Sequence, residues 1–228
     1  MSSTKYLFRE SPSQVKELRQ QGVFIFRNFL AGTQHEGLPL SSPEEVVIDL
    51  RRVIRDAPLY TPTMRNGKPF RYRMTCCGKY GWLSDSKGYR YEAINPYTEK
   101  PWPRIPRSIH DAAVSAALMA GFRSFKPETC LINFYSNKEE SLGLHQDSTE
   151  RNLNAPVISL SLGDSGVFLL GGNSRTDSTQ PILLESGDCL VLGGAARSRF
   201  HSFARTLPGT SDLLKHGGRL SLTIRQVD

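Results

Sequence analysis

The stretch PVISLSLG, residues 156–163, alternates apolar and small polar side chains, and this period of two is typical of a β-strand with one buried face. It belongs to a series of similar segments that begins at Cys130 and runs to the end of the chain. The others are CLINFY (130–135), GVFLLGG (166–172), PILLES (181–186), DCLVLGG (188–194), RFHSFA (199–204) and RLSLTIRQV (219–227). Short strands separated by turn residues are typical of a jelly roll. We therefore expect residues 130–228 to form a double-stranded β-helix (jelly-roll) core.

Upstream of this core, residues 1–59 carry the signals of helices. Ser42, with Pro43 after it and Glu45 three residues on, predicts a capping box at the start of an amphipathic helix. Two further helices are expected, one from a Ser13 cap to Gly22 and one from a Ser108 cap to Gly121. The sequence therefore predicts an α+β fold in which N-terminal helices support the jelly roll.

Composition and charge narrow the class of protein. The 228 residues are 38% hydrophobic and 22% charged, which fits one globular domain over residues 1–228. A net charge of +7 favours polyanionic partners. The four cysteines form no Cys-x-x-Cys pair, and no apolar run approaches the roughly 20 residues that cross a bilayer. We expect a cytoplasmic protein with free thiols and no membrane partner, and a monomer.

Residues 60–104 are dense in aromatic and basic side chains that follow no helical period. Their glycines and prolines predict short strands and loops. Cations contact phosphates while aromatic rings stack on unpaired bases, so this segment favours a nucleic-acid-binding surface. The alternative is that the rings support a loop-rich subdomain.

His145 and Asp147 lie two residues apart in LHQDSTE, so in an extended segment both side chains project to one side and could share a metal ion. His201 lies in a strand-like segment and is a candidate third ligand, whereas His35 and His216 fall in glycine-bearing loops. Two imidazoles and one carboxylate on a jelly roll form the arrangement that holds Fe(II) and leaves positions open for a co-substrate and oxygen. Zinc remains open on ligand type alone.

The last predicted strand carries two arginines on one face. Arg219 and Arg225 are six residues apart, so strand alternation places them on one side together with Ser221 and Thr223. Two inward guanidinium groups need an acidic side chain or a dianion as partner, and a 2-oxo dicarboxylate fits that need. The alternative is that this face is exposed and the arginines are surface charges.

The chain resembles the bacterial AlkB family of Fe(II)- and 2-oxoglutarate-dependent nucleic-acid dealkylases from about residue 55 to the end. The motifs that carry the resemblance are MTCCGKYGWLSDSKGYRY, NPYTEKPWP, LINFYS, LHQDSTE, LESGDCLVLGG and RLSLTIRQ. The resemblance implies a jelly-roll catalytic core in residues 130–228 and a nucleotide-recognition lid in residues 60–104. It also implies oxidative demethylation of N-alkylated bases in DNA or RNA, such as 1-methyladenine and 3-methylcytosine, with release of formaldehyde, succinate and CO2.

The resemblance further assigns roles to individual residues. Fe(II) would be held by His145, Asp147 and His201. The co-substrate 2-oxoglutarate, consumed with O2, would be held by Asn133, Tyr135, Arg219, Ser221 and Arg225. The alkylated DNA or RNA base would be contacted by Trp82, Tyr89, Tyr91, Thr149 and Arg175, and the ring of His201 would also stack near the damaged base.

Thr149 departs from the family pattern, which has an acidic residue two positions after the metal aspartate. This departure puts a preference for cationic methylated bases in doubt. One alternative is therefore a related oxygenase that acts on a different methylated nucleobase, a modified tRNA or a nucleoside. A second alternative is a non-enzymatic basic β-barrel that binds nucleic acid and in which the histidines are structural.

Overall fold

The structure, a computed structural model, describes residues 10–30 and 40–228, and its regular elements are mostly short β-strands. The helices are α1 (Pro12–Gln20), α2 (Pro43–Asp56) and α3 (Arg107–Met119), and a 3₁₀ turn spans Gly194–Ala196. The strands are β1 (Val23–Phe26), β2 (Arg73–Gly78), β3 (Gly81–Asp85), β4 (Gly88–Glu92), β5 (Ile94–Asn95), β6 (Lys100–Pro101), β7 (Thr129–Tyr135), β8 (Leu142–His145), β9 (Val157–Gly163), β10 (Ser165–Leu170), β11 (Gln180–Leu184), β12 (Cys189–Leu192), β13 (His201–Leu207) and β14 (Arg219–Arg225).

Two antiparallel sheets form the centre of the molecule. The larger sheet has the strand order β1-β12-β9-β14-β7-β2, and the smaller has the order β11-β10-β13-β8. Side chains from both sheets share a buried cluster in which Leu190 and Leu192 of the larger sheet lie with Ile182 and Leu184 of the smaller. The chain passes repeatedly between these two facing antiparallel sheets, with β9, β12 and β14 in the larger and β10, β11 and β13 in the smaller. This arrangement confirms the predicted jelly roll.

The alternation within β14 divides the larger sheet into two faces. Leu220, Leu222 and Ile224 lie in a cluster with the apolar residues of α2 and α3. The alternate residues of β14 line a cavity on the opposite face, between the two sheets: Arg219, Ser221, Thr223 and Arg225. Helices α2 and α3 therefore cover the outside of the larger sheet, and on β14 the inner face carries the polar side chains.

Of the three helix N-caps predicted from the sequence, one is observed and two are not. Ser42 forms the predicted capping box with Glu45 at the start of α2. Ser11, not Ser13, caps α1, since the Ser11 side chain accepts from the N–H of Gln14. Ser108 does not cap α3. Its hydroxyl donates to Asp49 of α2 at 2.6 Å, so that serine joins two helices instead.

The segment 60–104 forms two small hairpins, β3–β4 and β5–β6, outside the main sheets. Its remaining strand, β2, adds an edge to the larger sheet beside β7. The loop predicted around His35 lies outside the described residues. Among the helices that are described, none has the length and apolar character needed to cross a membrane.

Candidate active site

Three side chains converge at one end of the smaller sheet. His145 ends β8, His201 begins β13, and the two residues face each other across these paired strands. Asp147 follows two residues after His145, and the ligand atoms of all three lie within 4.8 Å of one another. Nδ1 of His145 lies 2.9 Å from the carbonyl of Gly143, and Nδ1 of His201 lies 3.0 Å from the carbonyl of Arg199. Protons on these Nδ1 atoms leave each Nε2 free to bind a metal.

The electrostatics of this cluster favour the metal-binding protonation states. Burial lowers the pKa of His201 to about 4, so its imidazole is neutral at physiological pH. Burial alone would raise the pKa of Asp147, but the charge of Arg225 lowers it below the ordinary value, so the carboxylate stays ionised. A neutral imidazole beside an ionised carboxylate fits a divalent cation.

Arg219 is a buried cation for which the described residues provide no paired carboxylate. Only 1% of it is exposed. Its guanidinium donates to the carbonyls of Asp164 and Leu184, both at 3.2 Å, and to Oγ of Ser161 at 2.7 Å, and its Nε has no partner. Burial lowers its pKa to about 10, so it remains charged near neutral pH. An uncompensated buried cation is costly, and an anionic ligand in the cavity would offset that cost.

Arg225, at the other end of β14, already has protein partners. Its Nε and Nη2 donate to the two carboxylate oxygens of Asp147 at 3.2 and 2.9 Å, and its Nε also lies 3.4 Å from Glu150. Only its Nη1 is buried without a partner. The alternative that both arginines are surface charges is therefore wrong. The two arginines have different surroundings, since Arg225 is paired with Asp147 and Arg219 has no carboxylate partner among the described residues.

The metal cluster and Arg219 line one cavity of about 370 Å³ between the sheets. Asn133, Tyr135 and Ser221 line it as well, and the buried Oδ1 of Asn133 has no hydrogen-bond partner. Unpartnered buried polar atoms at Asn133, Arg219 and Arg225 are groups that a bound polar molecule would satisfy. These residues therefore fit 2-oxoglutarate, an acid with two carboxylates and a keto oxygen, next to a divalent metal.

The mouth of the cavity is aromatic. Trp82 of β3 and Tyr89 of β4 lie on the same hairpin and stack with ring centroids 5.3 Å apart and an interplanar angle of 24°. Arg175 lies over the ring of Phe200 at 5.2 Å, and Thr149, two residues after Asp147, lines the same cavity. The structure thus brings all the site residues expected from the sequence into one cavity, with one exception.

That exception is Tyr91. It does not line the cavity, and its hydroxyl instead donates to Glu150 behind the metal cluster. The ring of His201 is also less open than expected, because it stacks on Phe168 with an interplanar angle of 25° and packs against His145 on another side. The side chain of His145 is 31% exposed, against 8% for His201, so His145 is the imidazole that is open to a ligand.

Sequence reasoning missed several residues that shape the site. Glu150 and Arg197 form a buried ion pair at 2.9 Å beside Asp147; Glu150 ends the LHQDSTE motif but received no role, and Arg197 belongs to none of the motifs. Phe203 lies under the Arg219 guanidinium at 5.4 Å, and Gly166 leaves room for both side chains. The alternation of β13 was the one signal that could have placed Phe203 on the same face as His201.

Comparisons with known proteins agree with this geometry. The family model of the 2OG-Fe(II) oxygenase superfamily matches residues 22–225. The chain is 39% identical to an alpha-ketoglutarate-dependent dioxygenase AlkB homolog of Caulobacter vibrioides, over 83% of this chain and 84% of that one. It is 38% identical to alpha-ketoglutarate-dependent dioxygenase AlkB of Escherichia coli, over 90% of each chain.

A solved structure gives the same result for the fold. The structure of OsALKBH1 superposes with a TM-score of 0.73 at 29% identity, over 90% of this chain and 98% of that one. The residues matched by the family model, 22–225, include both main sheets and the three candidate metal ligands. The chain belongs to the AlkB family of the 2OG-Fe(II) oxygenase superfamily, whose dioxygenases use Fe(II), 2-oxoglutarate and O2.

Proposed function

We propose that the protein removes N-alkyl groups oxidatively from bases of alkylated DNA or RNA. The observation that carries the proposal is the stacked pair Trp82–Tyr89 at the mouth of the cavity that also contains the metal cluster. An aromatic platform beside an oxidising centre suits a flat unpaired base whose alkyl group reaches the metal. The alternative of a non-enzymatic binding β-barrel is wrong, because the chain belongs to a family of dioxygenases.

The names of relatives support a nucleic-acid substrate. A plant relative, 30% identical, is named DNA N(6)-methyladenine demethylase ALKBH1C, and a human relative, 31% identical, is named nucleic acid dioxygenase ALKBH1. This chain spans about half of the plant protein and 30% of the human one. The bacterial relatives, which it spans almost fully, are named only for their use of alpha-ketoglutarate.

The inner end of the cavity supplies the oxidation. His145, Asp147 and His201 would hold Fe(II), while Arg219, Asn133 and Tyr135 would hold 2-oxoglutarate with Ser221 and Arg225 beside them. With Fe(II), 2-oxoglutarate and O2 bound, the site would supply the oxidation that yields succinate and CO2 and releases an N-methyl group as formaldehyde. The chain itself binds and orients the reactants and excludes water, and the buried Arg219 binds the carboxylate far from the metal.

The outer end would hold the base. Trp82 and Tyr89 provide a stacking surface, and the exposed ring of His145 is a second aromatic surface near the metal. Arg175 and the basic residues of segment 60–104 would contact phosphates on either side of an extruded nucleotide. We propose this segment as the recognition lid of a single domain, with residues 1–59 as support and 130–228 as catalytic core.

We also propose that the protein acts as a monomer in the cytoplasm. All four cysteines are free and buried, as expected of a protein from a reducing compartment. Their burial raises the pKa of Cys76 to about 12, so this thiol is unreactive. Size-exclusion chromatography with light scattering would test the oligomeric state, and a mass of about 25.5 kDa is expected.

A product assay tests the proposed activity. The purified protein, with Fe(II), 2-oxoglutarate and air, is given single-stranded DNA and RNA oligonucleotides that each carry one methylated base. Mass spectrometry should show the loss of a methyl group together with succinate. Succinate without demethylation of any oligonucleotide would overturn the nucleic-acid substrate and favour the alternative of a methylated nucleoside, which Thr149 keeps open. A tRNA substrate in the same panel tests the remaining alternative.

A further inference from the structure

A row of four buried charges of alternating sign lies behind the cavity. Arg197 pairs with Glu150 at 2.9 Å, Glu150 lies 3.4 Å from Arg225, and Arg225 holds both carboxylate oxygens of Asp147. The side chains of Arg197 and Glu150 are 3% and 1% exposed. Buried charges are stable only when each has a partner, and this row satisfies all four at once.

Arg197 connects the two segments that carry metal ligands. It follows the 3₁₀ turn, four residues before His201, and its guanidinium donates to the backbone carbonyls of Asp147 at 2.6 Å and of Ala155 at 2.9 Å. The same guanidinium pairs with Glu150. Both ends of the segment 147–155 are therefore fastened to the turn that leads into β13.

Glu150 and Arg197 do not line the cavity, so they contact neither a metal nor a ligand there. Their contacts with cavity-lining residues are those with Asp147 and Arg225 and a longer one of 3.5 Å between Glu150 and the hydroxyl of Thr149. Residues that orient metal ligands by hydrogen bonds commonly change the affinity for the metal when they are replaced.

We propose that Glu150, held in place by Arg197, is a positioning residue for the metal ligand Asp147. Glu150 compensates the part of the Arg225 charge that Asp147 does not, so Arg225 can orient the Asp147 carboxylate without drawing it away from the metal. This inference rests on the proposed role of Asp147 as a ligand.

Glu150 also joins the metal cluster to the recognition hairpin. The hydroxyl of Tyr91, on β4, donates to the Glu150 carboxylate. A continuous path of hydrogen bonds and ion pairs thus runs from Tyr91 through Glu150 and Arg225 to Asp147. Replacement of the Tyr91 hydroxyl removes the link to the hairpin and leaves the row of charges intact.

The test measures the binding of Mn(II) alone to the anaerobic protein by calorimetry, so that no turnover is needed. Glu150→Gln keeps the shape of the side chain and removes its charge, and we expect Mn(II) to bind about 10- to 100-fold more weakly. The matched control is Glu128→Gln, because the Glu128 carboxylate accepts the backbone N–H groups of Val227 and Asp228 and does not line the cavity. This control should bind Mn(II) as the wild type does.

A second arm separates failure of this inference from failure of the proposed metal site. If His145→Ala binds Mn(II) as tightly as the wild type, the ligand assignment is wrong. If His145→Ala loses Mn(II) while folded Glu150→Gln keeps wild-type affinity and only melts at a lower temperature, Glu150 is merely structural and the inference is overturned.

A milder variant covers the case in which Glu150→Gln does not fold. Mn(II) should slow amide hydrogen exchange in the hairpin 81–92 of the wild type, and Tyr91→Phe should remove that effect. Tyr80→Phe is the control, because the Tyr80 hydroxyl also donates to a carboxylate, that of Asp228 at 2.9 Å, but at the surface. Equal protection of the hairpin by Mn(II) in wild type and Tyr91→Phe would contradict the path.

Discussion

The two ends of the cavity are built in different ways. At the inner end the charged residues lie on or beside core strands and are almost fully buried, with 1% of Arg219 and 7% of Asp147 exposed. At the mouth, 57% of Tyr89 is exposed, and its hairpin pairs with neither main sheet. The inner end is held by long-range pairing between strands, and the mouth by a local hairpin that side-chain contacts, such as Tyr91 with Glu150, attach to the rest of the protein.

This difference shows which part of the site can change without loss of the fold. A substitution at the inner end leaves a buried charge without its partner and so costs stability as well as chemistry. A substitution on the hairpin exposes or removes a surface ring and leaves the two sheets as they are. We therefore expect the reaction to depend on the inner end and the choice of substrate on the mouth.

The largest effect is expected from loss of a metal ligand. His145→Ala should reduce turnover to background, because two remaining ligands hold Fe(II) poorly, while the circular dichroism spectrum stays that of the wild type. Succinate release measures turnover, and bound iron is measured by atomic absorption. The control is His110→Ala, since His110 is an exposed histidine of α3 beside Asp111. Full iron content and activity in His145→Ala would show that the inner end does not depend on this ligand.

The next largest effect is expected at Arg219. Arg219→Lys keeps the charge but loses the planar donor fork, so the KM for 2-oxoglutarate should rise by about 10- to 100-fold, as expected for lost charge-assisted hydrogen bonds. The exposed Arg151, which pairs with Asp228, provides the control Arg151→Lys, in which KM should not change. An unchanged KM in Arg219→Lys would remove the distinction between Arg219 and Arg225.

At the mouth the expected effect falls on the oligonucleotide alone. Trp82→Ala should weaken the binding of a methylated oligonucleotide by about ten- to a hundredfold, since stacking contributes roughly 1–3 kcal/mol per base. The affinity for 2-oxoglutarate should stay the same, and oligonucleotide affinity should fall steeply with salt. Fluorescence anisotropy measures the oligonucleotide affinity and its salt dependence, and calorimetry measures the 2-oxoglutarate affinity. A parallel loss of 2-oxoglutarate affinity would show that the two ends are not separable.

The smallest expected effect concerns the type of lesion. Thr149→Asp adds a partly exposed negative charge, which should shift relative activity toward the cationic bases 1-methyladenine and 3-methylcytosine by about two- to fivefold over neutral ones. Competition assays that contain both types of lesion measure the ratio. Thr149→Asn, similar in shape to Asp but uncharged, is the control. The same ratio in both variants would show that charge at this position does not select the base.

The residues at the inner end of the cavity were also the easier ones to predict from the sequence. The alternation of β14 placed Arg219 and Arg225 on one face, and His-x-Asp spacing placed His145 beside Asp147, because both patterns are local. The Glu150–Arg197 pair joins residues 47 positions apart, and no local periodicity encodes such a contact. It was therefore missed, although the strands around it were predicted.

Local ambiguity explains the other differences. Two serines close together, Ser11 and Ser13, could each cap α1, and only the path of the backbone decides between them. Ser108 has the spacing of a cap but lies against α2, where Asp49 accepts its hydroxyl. Tyr89 and Tyr91 lie on the same strand of the hairpin, but the Tyr89 ring is exposed whereas the Tyr91 hydroxyl donates to Glu150. For Ser108 and Tyr91 a tertiary contact thus overrides what the local sequence predicts.

The pair of rings at the mouth gives the protein a built-in optical reporter. The chain has two tryptophans, and Trp102 is 4% exposed in the core, where its indole N–H donates to the carbonyl of Glu92. Trp82 is half-buried and touches Tyr89 at the cavity. Trp82 is therefore the tryptophan that a base at the mouth would contact directly, whereas Trp102 touches the same hairpin only from its buried side, at Gly81 and Glu92. The arrival of a base at the mouth can thus be timed in a stopped-flow instrument without a label.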